Sequence, residues 1–131
     1  MNRALLEELL DLTKRERLFI KLMNKLKNYS TIKDFSYFEY DCFEGKIPII
    51  IYGNNQNLEN VKFVKVFVAA QHNEYTGLFG IIDFLQGVKK SLIPVNNALK
   101  NNQILIFAPL MNPYGFLNPT KENKSGYPAT D

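Results

Sequence analysis

The 131-residue sequence predicts an α/β fold: a mixed, partly parallel sheet flanked by helices. Three observations carry this expectation. "KFVKVFVAA" (62–70) is a short, nearly apolar run of β-formers. "GLFGIIDFLQGV" (77–88) spaces its apolar residues as a helix does, and "QILIFAPL" (103–110) is a second short apolar run. Strand, helix, strand in that order is the pattern of a βαβ unit, whose two strands lie parallel.

The elements follow in chain order. Residues 3–27 repeat Leu5, Leu9, Leu12, Phe19, Leu22 and Leu26 at three- or four-residue intervals, with charges between them. The stripe is interrupted at "TKRER" (13–17), so the region reads as one helix or two, docked on the sheet. "FSYFEYDCF" (35–43) alternates as a strand, with Phe38, Tyr40 and Cys42 on one face. "EGK" (44–46) is a turn, and "IPIIIYG" (47–53) is the return strand. Pro48 has no amide proton, which confines it to an edge or a strand's beginning. "NNQNLEN" (54–60) is a polar loop.

Residues 61–70 then read as a buried strand. Residues 75–92 read as a helix with Leu78, Ile81, Ile82, Leu85 and Val88 inward, where Gly77 and Gly80 permit close approach to the sheet. Residues 103–110 are a buried strand. Residues 1–30 form an amphipathic helical segment and 31–131 the α/β domain.

Composition narrows the function classes. No apolar run reaches the roughly 18 residues of a membrane span. Glu7, Glu8 and Asp11 break up the leucines where a signal peptide would need a continuous apolar stretch. The single cysteine, Cys42, excludes an internal disulfide and a multi-cysteine zinc site; mid-strand, it reads as a structural thiol. The expected location is the cytoplasm. The net charge of +3 resides in residues 1–29, which carry seven Lys/Arg against four acids. Without a nucleic-acid motif this reads as a solvated helix face, and neither nucleic acid nor membrane is an expected partner.

Chemistry is expected where open α/β sheets place it, beyond the carboxyl ends of the strands. "QHNE" (71–74) follows one strand and "MNPYGF" (111–116) the next. The only histidine, His72, stands two positions before Glu74. Zinc accepts both donor types, and residues two apart lie on one side of an extended chain but nearly opposite on a helix. The pair can therefore share a metal at a strand-to-helix corner. Glu74 also has a simpler reading as an acid near a helix N-terminus, favoured by the helix dipole.

"VFVAAQHNEYTG", "ILIFAPLMNPYGF" and "TKENKSGYPATD" together resemble the zinc carboxypeptidase family of the carboxypeptidase A type, with its succinylglutamate desuccinylase and aspartoacylase relatives. That family places H-x-x-E after one strand, N-P-x-G after the next, then an arginine region leading to D-x-N-R. The resemblance covers residues 35–131 and corresponds to the amino-terminal half of the family fold. It implies Zn²⁺ held by His72 and Glu74, with Gln71 in the histidine's place if the motif is aligned on Glu74. It also implies Asn112, Tyr114 and Gly115 at the substrate cleft, Lys121 where the family has a carbonyl-polarising arginine, and Asp131 opening D-x-N-R. The implied activity is metal-assisted hydrolysis of a peptide's C-terminal amide bond. An N-acyl amino acid deacylase is the alternative within the superfamily, and a non-catalytic domain that associates through an exposed sheet surface is the alternative outside it.

The sequence departs from the family pattern at three points. His72 and Glu74 are one residue too close. Lys121 keeps the charge of an arginine but not its planar pair of donors. No second histidine follows, so the third zinc ligand of the family is absent, as are its D-x-N-R arginine and its late glutamate base. The expectation is a truncated chain or a piece of a longer protein, inactive as it stands.

Overall fold

A computed structural model describes residues 3, 15–43, 45–53, 59–71, 76–93 and 102–118. Helix α1 (Arg15–Lys27) buries Leu18, Leu22 and Leu26, four residues apart, together with Met23. A 3-10 turn, Asn28–Thr31, ends it, and Ile32 returns the chain to extended backbone. Buried Tyr29 on that turn lies 5.1 Å, centroid to centroid, from Phe35, which in turn lies 4.9 Å from Tyr52. These tilted rings fasten the helix to the first hairpin, at about 0.5–1.5 kcal/mol per pair beyond their area burial.

The hairpin is β1 (Phe35–Cys42) and β2 (Gly45–Tyr52), paired antiparallel from Phe35↔Tyr52 to Cys42↔Gly45. Gly45 has φ +124°, a value that disfavours any residue with a Cβ. Cys42 is half-buried, its thiol donating to the Gly45 carbonyl at 3.4 Å, in keeping with a structural role. Pro48 pairs with Glu39 on one side, while pairing of β2 with the next strand begins at Ile50. Pro48 is thus neither at the strand's beginning nor on an outer strand, although on the side of the second ladder β2 is still unpaired at its position.

Strand β3 (Phe63–Val68), helix α2 (Thr76–Lys89) and strand β4 (Gln103–Ala108) form the βαβ unit. β3 and β4 run parallel, β2 and β4 antiparallel, and the sheet order is β1-β2-β4-β3. This is the mixed, partly parallel sheet that the sequence predicts. On the inner face, Phe107 of β4 stacks on Phe67 of β3 at 5.1 Å and lies 5.7 Å from Phe84 of α2. Ile50, Tyr52 and Leu105 join it there in one core with Leu18 and Leu22 of α1 and Leu78 and Leu85 of α2.

Gly77 is needed where the sequence placed it: a Cβ there would lie 3.1 Å from that of Ala69, so α2 starts hard against the end of β3. Gly80 is not, since a Cβ there meets nothing within 4 Å.

The burial expected of β3 is overturned. β3 reads as a buried strand, yet all six of its residues are exposed, with Phe63, Val64, Val66, Phe67 and Val68 between 41% and 60%. It is the last strand in the sheet order, so among the described residues the apolar run that parallel strands require has no neighbour on one side. Phe38 and Tyr40 are likewise exposed, on the face opposite the helices that they share with Val64, Val66 and Val68. Among the described residues, no helix is long and apolar enough to cross a membrane.

Candidate functional site

The parallel pairing of β3 and β4 continues past both strands. Ala69 N donates to Ala108 O at 3.1 Å, Met111 N to Ala69 O at 3.1 Å, and Asn112 N to Ala70 O at 2.9 Å. The segments that begin with Gln71 and Asn112 therefore leave the sheet side by side, at the carboxyl ends of neighbouring strands. In an open α/β sheet this rim is the expected place for a ligand.

Two features of the rim escaped sequence reasoning. Ala70 has φ +54°, a left-handed backbone that costs a non-glycine residue about 1–2 kcal/mol. Such strain persists where surrounding structure imposes it, here through the hydrogen bond from Asn112. Nothing in "VAAQ" signals it. The second feature is α3 (Pro113–Leu117), a short helix to which the sequence reading assigns no element. Its signal was present: Asn112 is a good N-cap residue and Pro113 a good first helical residue. The Asn112 side-chain oxygen accepts from Gly115 N at 2.9 Å.

Asn112 is buried, and its Nδ2 has no partner among the described residues. An unsatisfied buried donor costs about 1–3 kcal/mol, so the amide is set to donate to a ligand or to a segment outside the described residues. Phe116 is buried behind the cap, while Tyr114 is half-buried and faces a neighbouring cavity. Arg15 holds α3 from α1: its Nη1 donates to Phe116 O at 2.8 Å, and its guanidinium lies over the Phe116 ring at 5.6 Å. The solvated-face reading of the basic helix therefore fails at Arg15, which is only 6% exposed.

Of the residues singled out in the sequence, the structure brings Asn112 and Gly115 together and sets Gln71, an exposed bend residue, beside them through Ala70. His72, Glu74, Lys121 and Asp131 lie outside the described residues. Among the described residues, no three His, Cys, Asp or Glu side chains gather as metal ligands would. Gln71 offers a neutral amide, which suits zinc poorly. The described residues alone therefore do not make a zinc site.

No family model matches the chain, and no curated protein does. A solved structure does, a crystal structure from Shewanella denitrificans OS-217 described as a "Putative carboxypeptidase A". The likeness has a TM-score of 0.66 at 17% sequence identity and covers 86% of this chain. It takes in 30% of the other protein, so the chain spans less than a third of that protein's length. The architecture described above is thus that of a fragment of a carboxypeptidase-like fold.

Proposed function

We propose that the chain carries part of the catalytic rim of a zinc-dependent, metallocarboxypeptidase-like hydrolase of amide bonds, with His72 and Glu74 as the metal ligands it contributes. The observation that carries the reading is the junction of Ala70 with Asn112. The carbonyl just before Gln71 accepts from the amide that opens "NPYG", and so ties together the starting points of the two motif-bearing segments. The strained Ala70 and the unsatisfied Asn112 amide lie at the same place. The likeness in fold to the Shewanella protein adds support. Zinc, where bound, supplies a Lewis acid for a carbonyl. The chain's own part is to hold the rim: Asn112 caps α3, and Ala69 and Ala70 anchor it to β3.

The test is anomalous diffraction at the zinc edge from crystals grown with zinc. The reading expects a peak about 2.0–2.2 Å from a ring nitrogen of His72 and a carboxylate oxygen of Glu74. Zinc bound elsewhere, or Glu74 turned away from the imidazole, overturns it.

A second reading, a domain completed by a partner chain, is favoured by one observation: the exposure of every residue of β3. A free, apolar strand edge is a template for another strand. The occupant in this reading is a polypeptide strand hydrogen-bonded along β3. Chain alone that sediments as a monomer and binds no hydrophobic dye would count against it.

A further inference from the structure

On the side of α3 that faces α1, a cavity of about 490 Å³ opens between α1, the turn end of the β1–β2 hairpin, and α3. Its walls are mostly apolar, with Phe19 and Met23 from α1 and Pro113 and Leu117 from α3. Three charged side chains also line it, and the sheet register accounts for two of them. Glu39 pairs with Pro48, and Lys46 lies two residues from Pro48 on the same face, so the acid and the amine are diagonal neighbours across the hairpin. Lys27 reaches the same acid from the last turn of α1. The distances are 3.3 Å from Lys27 Nζ to Glu39 Oε1 and 3.6 Å from Lys46 Nζ to Glu39 Oε2. Tyr37 also donates to Glu39 Oε1, at 3.0 Å. Glu39 is thus held in place by three donors, and the cluster carries two positive charges against one negative.

An apolar chamber with a surplus positive charge has a definite chemical complement. We infer that this cavity binds a small amphipathic carboxylate, its anionic head at the Lys27–Glu39–Lys46 cluster and its apolar tail against Phe19, Met23 and Leu117. The volume falls in the range of ligand pockets and accommodates an alkyl chain on the order of ten carbons. A second carboxylate brings the cluster to neutrality. An ammonium head would instead meet two cations, and an alcohol would forgo the charge term. The lysines are half or more exposed, so the head group gives selectivity and the tail gives most of the affinity. None of these charged residues belongs to the rim, so this inference and the zinc reading can fail separately.

The test is isothermal titration of the 131-residue chain with octanoate, decanoate and dodecanoate below micelle formation. Decanol, decylamine and an apolar hexapeptide with a free carboxyl terminus serve as comparisons. Affinity rises about fourfold per added methylene until the chain fills the cavity, as about 0.8 kcal/mol per buried methylene requires. Decanoate binds more tightly than decanol, and decylamine most weakly. Lys27→Met and Lys46→Met each weaken decanoate about two- to fivefold, the scale of one partly exposed charge. Glu39→Gln tightens it, because the competing anion is gone. Leu117→Asp, with an unchanged far-UV circular dichroism spectrum, abolishes it. Decylamine matching decanoate, Glu39→Gln leaving decanoate unchanged or weaker, or no saturable binding overturns the inference. Peptide binding tighter than decanoate through the same lysines overturns the small-molecule assignment.

Discussion

Arg15 offers the sharpest test of how the fold secures its rim. It opens α1, where a basic side chain would ordinarily be solvated, yet it is buried against the last turn of α3. Arg15→Ala removes a charged donor from the Phe116 carbonyl, about 1.5–3 kcal/mol by itself. It also removes a cation–π contact of about 0.5–2 kcal/mol. Relief from holding a guanidinium out of water offsets part of this. The net loss expected is about 3 kcal/mol, which lowers the melting temperature of a chain this size by about 10 °C. Arg15→Lys keeps the charge without the planar fork and should lose about half as much. The assay is urea unfolding followed by tyrosine fluorescence and far-UV circular dichroism, with the midpoint shifting at constant slope. An Arg15→Ala variant within about 0.5 kcal/mol of the parent would refute the claim that this side chain fastens α3 to α1, since that is the scale of an ordinary surface substitution.

Further outcomes follow from other parts of the structure. Gly53 has φ +138°, and a Cβ there would lie 2.9 Å from the Gln103 carbonyl oxygen, so Gly53→Ala should cost about 2–3 kcal/mol in thermal unfolding; a neutral result would contradict the strand ending described. The Tyr37 hydroxyl, followed by Lys27 and Lys46, holds the Glu39 carboxyl below its usual range. A depressed folded-state pKa contributes stability that is present above the unfolded value and lost as pH falls through the folded one. Glu39→Gln should therefore flatten stability versus pH on the acid side, below about pH 4–5, and leave its shape near neutrality unchanged; an unchanged acid limb would count against the ion cluster. Val66→Lys, on exposed β3, should reduce hydrophobic-dye binding and any self-association while changing stability by less than about 0.5 kcal/mol; undiminished dye binding would show that another surface is responsible.

The sequence reveals those parts of the fold whose causes are local. The apolar spacing of α2, the alternation of β1 and the strand–helix–strand order are all short-range patterns, and each matches the structure, whereas Gly45 and Lys46, read as part of the turn, already belong to β2. Position in the sheet is not local. "FVKVFV" has the composition of a central parallel strand, and only the pairing pattern reveals it as an edge. Arg15 was misread for a related reason: its partner, the Phe116 carbonyl, lies about a hundred residues away. Phe38 and Tyr40 were correctly placed on one strand face, but periodicity alone does not say which face the helices cover. At the rim, "NPYG" carried its own signal, an N-cap followed by proline. The left-handed Ala70 carried none, because its conformation is imposed by a cross-strand hydrogen bond.

Whether an imidazole and an acid can share one ion at this corner is open to a direct solution measurement. His72 is the lone histidine of the chain, so its ring protons give one resolvable set of NMR signals. Titrating zinc should shift or broaden those signals together with the amide signals of Gln71 and Asn112, at weak affinity, and Glu74→Gln should diminish the response. Ring signals that ignore zinc at millimolar concentration, or that respond equally in Glu74→Gln, would contradict the proposal that His72 and Glu74 hold a metal.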